Sequence, residues 1–177
     1  MSSVNILKSR VRGLITKLSA NGTWSRSALS RLRMAYGKEM MDVRNVWDVV
    51  AFEEFTRVNG QACNEDNAIL AAMSMYAVHK GGGASPHVDG VGFGQALSRL
   101  TYEGASNYDA VCRRFTTLIG ATTLAGFKAS ARSLLCMLAN EGIKFDYVKF
   151  AEDLYWYQVD SVRKKIILRW GSEFYRA

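Results

Sequence analysis

Few side chains in this sequence are of the types that carry out acid–base or metal chemistry. The two histidines, His79 and His87, have neither a second histidine nor a carboxylate at the spacing of a metal site such as HExxH. The cysteines Cys63, Cys112 and Cys136 include no CxxC pair, and their odd number does not fit a disulfide framework. We therefore expect incidental histidines and buried thiols in a reducing cytoplasm.

The glycines Gly90, Gly92 and Gly94 resemble part of a dinucleotide-binding fingerprint. Their spacing is GxGxG rather than GxGxxG, and no predicted strand precedes them, as that fingerprint requires. No GxSxG or GKS/T motif occurs, and the two pairs of acidic residues are adjacent in sequence, so their members diverge around a helix. We predict that the protein is not an enzyme, has no catalytic or metal-binding residues and needs no cofactor.

Positive charge is concentrated at the start of the chain. Residues 1–38 contain eight basic residues and no acidic one, whereas the other 139 residues hold 15 basic and 16 acidic groups. A field of one sign attracts and holds a polyanion, and nucleic acid is the commonest polyanion in a cell. The alternative is a charge excess that is accidental or serves only solubility. The eight residues are Lys8, Arg10, Arg12, Lys17, Arg26, Arg31, Arg33 and Lys38.

Seven basic residues are the candidate nucleic-acid contacts. Four belong to the acid-free segment and three to later helices. Arginine presents a planar fork of donors that suits phosphate and can stack on bases, so these positions favour contacts to a nucleic-acid backbone. The seven are Arg26, Arg31, Arg33, Lys38, Arg113, Arg114 and Arg132.

Large aromatic side chains gather in the last third of the sequence. Single-stranded nucleic acids stack on such residues, which is one hypothesis for their role. Their helical spacing favours packing instead, because large aromatic residues are mostly buried. We predict that Trp156, Trp170 and Phe174 belong to the core.

The elements that must position these residues are helices. An apolar stripe over residues 4–18 has helical spacing, and after an Asn-Gly stop a second helix reaches about Tyr36. A third helix is predicted over Val46–Val58. A fourth, over Asn64–His79, opens on a capping residue and two acids. The single proline, Pro86, also favours helices over a β-sandwich, which needs more turns.

A glycine-rich break separates two groups of predicted helices. Residues 80–92 hold several glycines and the only proline, which is typical of a linker. Later helices are predicted to begin at Phe93, at a capping box over Ser106–Asp109, at Thr122 or Thr123, at Asp146 and at Asp160. We predict an all-α helical bundle of about eight to nine helices in two small lobes. The N-terminal basic lobe spans residues 1–80, the Gly-rich linker 81–92 and the C-terminal lobe 93–177.

The chain shows no sign of a membrane segment or a secretory signal. No stretch reaches the roughly 18 apolar residues of a membrane span. Basic residues interrupt the first helix where a signal peptide would be apolar. We expect a cytoplasmic protein with no membrane partner.

The order of motifs resembles the CasB family, the small subunit of the type I-E CRISPR Cascade complex. The matching segments are GFGQALSRL, CRRFTTLI, ARSLLCML, FDYVKFAEDLYWY and LRWGSEFY, which together span roughly residues 92–175. The first half matches more loosely, through Leu32–Ala35 and Lys38. There Met34 stands where the family has an arginine.

This resemblance implies an all-helical, non-catalytic protein without a cofactor. It implies two copies in the complex, with crRNA, target and non-target DNA and the other Cascade subunits as partners. Basic patches would hold the crRNA–target duplex and the displaced strand, because such complexes leave sequence recognition to base pairing. In that case the seven basic residues line one groove across both lobes.

A free-standing helical DNA-binding regulator or nucleoid-type protein is the alternative function. Two basic helices meet at Asn21-Gly22, so residues 8–36 also fit a helix-turn-helix. A regulator binds a specific duplex site by itself. A Cascade subunit alone is expected to bind weakly and without sequence preference.

Overall fold

The protein, described here from a computed structural model, is all-α, as the sequence predicts. The structure describes residues 1–102 and 107–176. Among these residues there is no sheet, and a single bridge pairs His87 with Phe145. No helix in these ranges combines the length and the apolar character needed to cross a membrane. The helices are α1 (Ser3–Ser19), α2 (Thr23–Met34), α3 (Trp47–Val50), α4 (Asn64–Lys80), α5 (Phe93–Ser98), α6 (Tyr108–Ile119), α7 (Leu124–Asn140), α8 (Tyr147–Tyr157) and α9 (Asp160–Arg176).

Polar side chains cap several of these helices where the sequence predicts a helix start. The Thr123 hydroxyl accepts the Gly126 amide at the start of α7. The Asp146 carboxylate accepts two amides at the start of α8. Both interactions satisfy amides that have no partner within the helix. The capping box predicted over Ser106–Asp109 begins outside the described residues, and the described part of α6 starts at Tyr108.

The helix predicted over Val46–Val58 is wrong beyond its first turn. Only Trp47–Val50 is helical, and the chain becomes extended at Ala51. Asn59 and Gly60 then adopt positive φ angles, which a helix does not tolerate. The Arg57 guanidinium binds the fully buried Asp66 carboxylate of α4, with Nε and Oδ2 2.7 Å apart. This ion pair holds the segment in a non-helical path that local periodicity does not reveal.

Helix α4 lies at the centre of the core. It is buried on almost every side from Ala68 to Ala77, and it packs against α2, α7 and α8. Helix α1 packs against α8 as well. Helices from before and after the glycine segment therefore share one hydrophobic core. The division into two lobes, with a linker over 81–92, stays a prediction.

The glycine segment is hydrogen-bonded to the residues that lead into α8. The Val88 amide donates to the Phe145 carbonyl at 3.1 Å, and the Phe145 amide donates to Pro86 at 3.2 Å. Farther along, the Asp146 amide donates to the Val91 carbonyl at 2.8 Å. These bonds set the position of α5 after the segment.

Most of the late aromatic residues form the core. Trp170 is 1% exposed and stacks on Phe127, and its indole N–H donates to Asp153. Phe174 is also buried, against Phe115. The prediction for Trp170 and Phe174 is confirmed. The prediction that Trp156 belongs to the core is wrong, because its side chain lies at the end of α8 and is 37% exposed.

Candidate nucleic-acid interface

Acidic residues from elsewhere in the fold offset part of the N-terminal positive charge. On α1, Lys8 pairs with Glu152 of α8 at 2.9 Å. Arg10 pairs with Glu54, and Arg12 pairs with the exposed Asp89. The acid-free stretch of sequence is therefore not acid-free in space. Within this segment the basic residues that form no ion pair among the described residues are Lys17 on α1, Arg26 and Arg33 on α2, and Lys38 after α2.

Helix α2 exposes a face that carries hydroxyl groups and no acidic side chain. Its buried residues, Ser25, Ala28, Leu29 and Leu32, lie on the side towards the core. On a helix of 3.6 residues per turn, Arg26 and Arg33 mark one edge of the opposite side, and Trp24 and Arg31 mark the other edge. Hydroxyl groups between two such edges can donate to phosphate oxygens. We call the exposed residues of this side the α2 face: Thr23, Trp24, Arg26, Ser27, Ser30 and Met34.

Arg33 is held by the C-terminal end of α4. Its Nε donates to the Ala77 carbonyl at 3.0 Å, and its Nη2 donates to the Gly81 carbonyl at 2.6 Å. The last carbonyls of a helix lack partners within the helix and attract cations. Arg33 therefore joins α2 to α4, and part of its hydrogen-bonding capacity is used within the protein.

Arg31 is likewise bound within the protein. Its guanidinium forms a two-pronged ion pair with Asp48, at 2.7 and 3.2 Å, and also donates to the Asn45 carbonyl. Its charge is compensated, so it contributes less to an external field than its position in the sequence suggests.

Tyr36 and Lys128 link the segment that carries Lys38 to the helix that carries Arg132. Lys38 follows α2, Arg132 lies on α7, and the Tyr36 ring lies between these two elements. The Arg132 guanidinium lies over this ring, and the Tyr36 hydroxyl donates to the Lys128 carbonyl at 2.5 Å. The Lys128 ammonium is buried and donates to the Lys38 carbonyl at 3.3 Å. Burial lowers the pKa of Lys128, against the effect of nearby Glu39, and burial also raises the pKa of Tyr36.

Arg113 and Arg114 are exposed on α6, which packs against α7. No hydrogen bond or cation–π contact among the described residues joins them to Arg132. Within the described ranges, Arg26, Lys38, Arg113, Arg114 and Arg132 form no ion pair. Of the seven predicted residues, these five keep their charge available to a ligand.

The cluster His87, Asp89 and Asp146 contains donor atoms of the kind that bind metals. Each group, however, is already engaged. Asp146 caps α8, Asp89 pairs with Arg12, and the His87 Nδ1 accepts the Tyr147 amide at 3.1 Å. These contacts give the cluster a role in fastening the glycine segment to α1 and α8.

Trp24 is the exposed residue that our sequence reasoning missed. Its side chain is 43% exposed in the first turn of α2. A helical wheel of α2 indicates this exposure, because it places Trp24 beside Arg31 and away from Leu29 and Leu32. The late aromatic residues attract the stacking hypothesis in the sequence instead, and most of those are buried.

The sequence matches a family described as CRISPR-associated protein Cse2 over residues 28–175. CasB from Thermobifida fusca has a similar structure, with a TM-score of 0.78 and 20% identity over 97% of this chain and 96% of that chain. CasB from Thermus thermophilus has a TM-score of 0.72 and 17% identity over 100% of both chains. A chain of a CRISPR RNA-guided surveillance complex has a TM-score of 0.71 and 16% identity over 96% of this chain and 94% of that chain. No curated protein matches the sequence.

Proposed function

The chain belongs to the CRISPR-associated Cse2 family, and from this we propose that it is a non-catalytic, nucleic-acid-binding subunit of a type I-E CRISPR Cascade surveillance complex. In this role it stabilises the crRNA–target DNA R-loop and the displaced strand through basic patches. Its partners are crRNA, target and non-target DNA and the other Cascade subunits, with two copies in each complex. The solved chain from a CRISPR RNA-guided surveillance complex, which shares this fold, supports the proposal.

The observation that carries the nucleic-acid part of the proposal is the contact between the Lys38 segment and α7, where Arg132 lies over Tyr36. Two elements that are far apart in sequence are in contact there, each has an exposed cation without an ion pair among the described residues, and one of them directly follows the acid-free α2 face. Phosphate contacts hold a nucleic acid without reading its sequence. That is the task of a subunit in a complex where base pairing supplies the specificity.

The proposal predicts salt-dependent, sequence-independent binding of DNA by the purified full chain. Each phosphate neutralised contributes about −0.7 to −0.9 to the slope of log affinity against log salt. Replacing Arg26 and Lys38 together by Gln is expected to make that slope less steep by about 1.5. The matched control replaces Arg10 and Arg12 by Gln, which removes the same charge from residues already paired with acids. An equal effect in both double variants would show that only net charge matters and would contradict this interface.

The same variants test the role in the complex. With the subunit incorporated normally, the double change at Arg26 and Lys38 is expected to lower protection of the displaced strand from chemical probes. Unchanged protection contradicts R-loop stabilisation by this surface. High affinity of the isolated chain for one duplex sequence would instead favour the free-standing regulator.

A further inference from the structure

The four tryptophans differ in how their indole rings are held. The Trp47 indole N–H donates to the Met40 carbonyl at 2.7 Å, and that of Trp170 donates to Asp153 at 3.1 Å. Trp24 and Trp156 are exposed, at 43% and 37%, and within the described residues their indole N–H groups have no partner. A half-exposed indole ring with a free N–H can contact a ligand through its face and its edge.

The two exposed tryptophans differ in the acidic residues near them in the sequence. Trp156 has Glu152 four residues before it and Asp160 four residues after it, and these carboxylates pair with Lys8 and Arg163. Trp24 has no acidic residue before Glu39 in the sequence. The Asp48 carboxylate approaches α2 from the α3 helix and pairs with Arg31. Arg31 lies seven residues after Trp24, which is about 10 Å along the helix axis. A phosphate can therefore approach Trp24 with little repulsion, whereas near Trp156 it meets two carboxylates that are each already paired with a cation.

We propose that Trp24 is a stacking platform for one unpaired base of a single-stranded nucleic acid. The strand crosses the first turns of α2, with a base on the indole ring at one edge of the α2 face. Its neighbouring phosphates lie towards Arg26 at the other edge, over the hydroxyl groups of Thr23 and Ser27. This inference rests on the proposed function and adds to it the kind of nucleic acid that this face binds.

Single-stranded nucleic acid fits this ring better than duplex does. Inside a duplex both faces of every base are covered by its neighbours, so a protruding ring has no base face to contact. An unpaired base can turn outwards and stack on the ring, and this contact tolerates any sequence because every base has a π-face. Within an R-loop the displaced strand has such bases.

The test compares two oligonucleotides of about ten nucleotides, a length within the range of single-strand site sizes. One is oligothymidylate, and the other has the same phosphates with abasic sugars. For the full chain we expect tighter binding of oligothymidylate by about 5- to 100-fold. Trp24→Ala is expected to bring the two affinities together while leaving abasic binding unchanged, and Trp24→Phe to keep most of the difference. Trp156→Ala, the matched control, is expected to leave the ratio as it is.

The outcomes separate this inference from the proposed function. If the unaltered chain binds both oligonucleotides equally, with a steep salt dependence, stacking by Trp24 is wrong and the phosphate-binding function stands. If it binds neither, both are wrong. If Trp24→Ala keeps the ratio but no longer enters the assembled complex, Trp24 contacts a protein subunit and the stacking role is overturned. Thermal unfolding of each variant shows whether the fold is intact.

Discussion

The guanidinium of Arg132 lies over the ring of Tyr36, with its central carbon 4.8 Å from the ring centroid. Tyr36 follows α2 and Arg132 lies on α7, so this contact joins residues almost one hundred positions apart. A cation above an aromatic face is attracted by the ring's negative face. The stack keeps the arginine in place and leaves its edge free to donate to phosphate.

We expect Tyr36→Phe and Arg132→Gln to have separate effects. Tyr36→Phe removes the hydrogen bond to the Lys128 carbonyl and should cost about 1 kcal/mol of unfolding free energy. It keeps the ring, so DNA affinity should not change. Arg132→Gln should make the salt slope of binding less steep by roughly 0.7 to 0.9. Denaturant unfolding and binding titrations at several salt concentrations measure the two effects. An unchanged slope for Arg132→Gln would remove that residue from the interface.

Arg33 and Arg114 are predicted to differ in what they stabilise. Arg33→Ala leaves the carbonyls of Ala77 and Gly81 without their charged donor, and we expect it to lower the unfolding free energy by about 2 kcal/mol. Arg114→Ala removes an exposed side chain and should change stability by less than about 0.5 kcal/mol. Urea unfolding of both variants tests this contrast. Equal stability of the two variants would mean that the contact of Arg33 with α4 contributes nothing.

His79 should make the protein sensitive to acid. Its Nε2 donates to the Ile143 carbonyl and its Nδ1 accepts the Tyr147 hydroxyl, so the ring is held in its neutral form. Burial lowers its pKa to about 4 from 6.5. The pKa of His79 is lower in the folded protein than in the unfolded chain. The stability that the neutral ring contributes is therefore present above pH 6.5 and is lost as the pH falls towards 4. The loss amounts to about 3 kcal/mol.

His79→Gln isolates this contribution from that of the carboxylates. The variant lacks a group that titrates in this range, so its stability should fall less than that of the unaltered protein between pH 7 and pH 4. Parallel falls in the two proteins would show that His79 does not cause the acid sensitivity. Denaturant unfolding at a series of pH values gives the difference directly.

Gly94 and Gly13 provide opposite glycine-to-alanine tests. A Cβ at Gly94 would overlap the Trp170 carbonyl oxygen and lie 2.9 Å from the Trp170 Cα. We expect Gly94→Ala to force α5 away from α9 and to cost about 1–3 kcal/mol. A Cβ at Gly13, within α1, meets no atom within 4 Å. Gly13→Ala should raise stability by about 0.5–1 kcal/mol, because alanine has less backbone freedom to lose. Melting temperatures that shift in the same direction for the two variants would contradict these opposite effects.

Local sequence alone predicts most of the helices and the family to which the chain belongs. Helix starts at Thr123 and Asp146 were predictable because a capping side chain and the amides it accepts lie within three residues of each other. The all-α class follows from apolar periodicity, which is also local. The exception is Val46–Val58, where the distant partner Asp66 of Arg57 overrides a helix-like pattern. The family resemblance was recognisable for a related reason, since the order of short motifs is a property of the sequence.

The tertiary structure decided which charges remain available. Along the sequence, residues 1–38 contain eight basic residues and no acidic one, but folding places Glu152, Glu54 and Asp89 against α1. Coulomb interactions depend on distance in space, and no count along the chain can show these pairs. The same packing turns Arg33 towards α4, brings Arg132 over Tyr36 and leaves Trp24 exposed. The sequence therefore determined that this protein is helical and basic, and only the assembled core determined which of its basic residues are paired with acids and which are not.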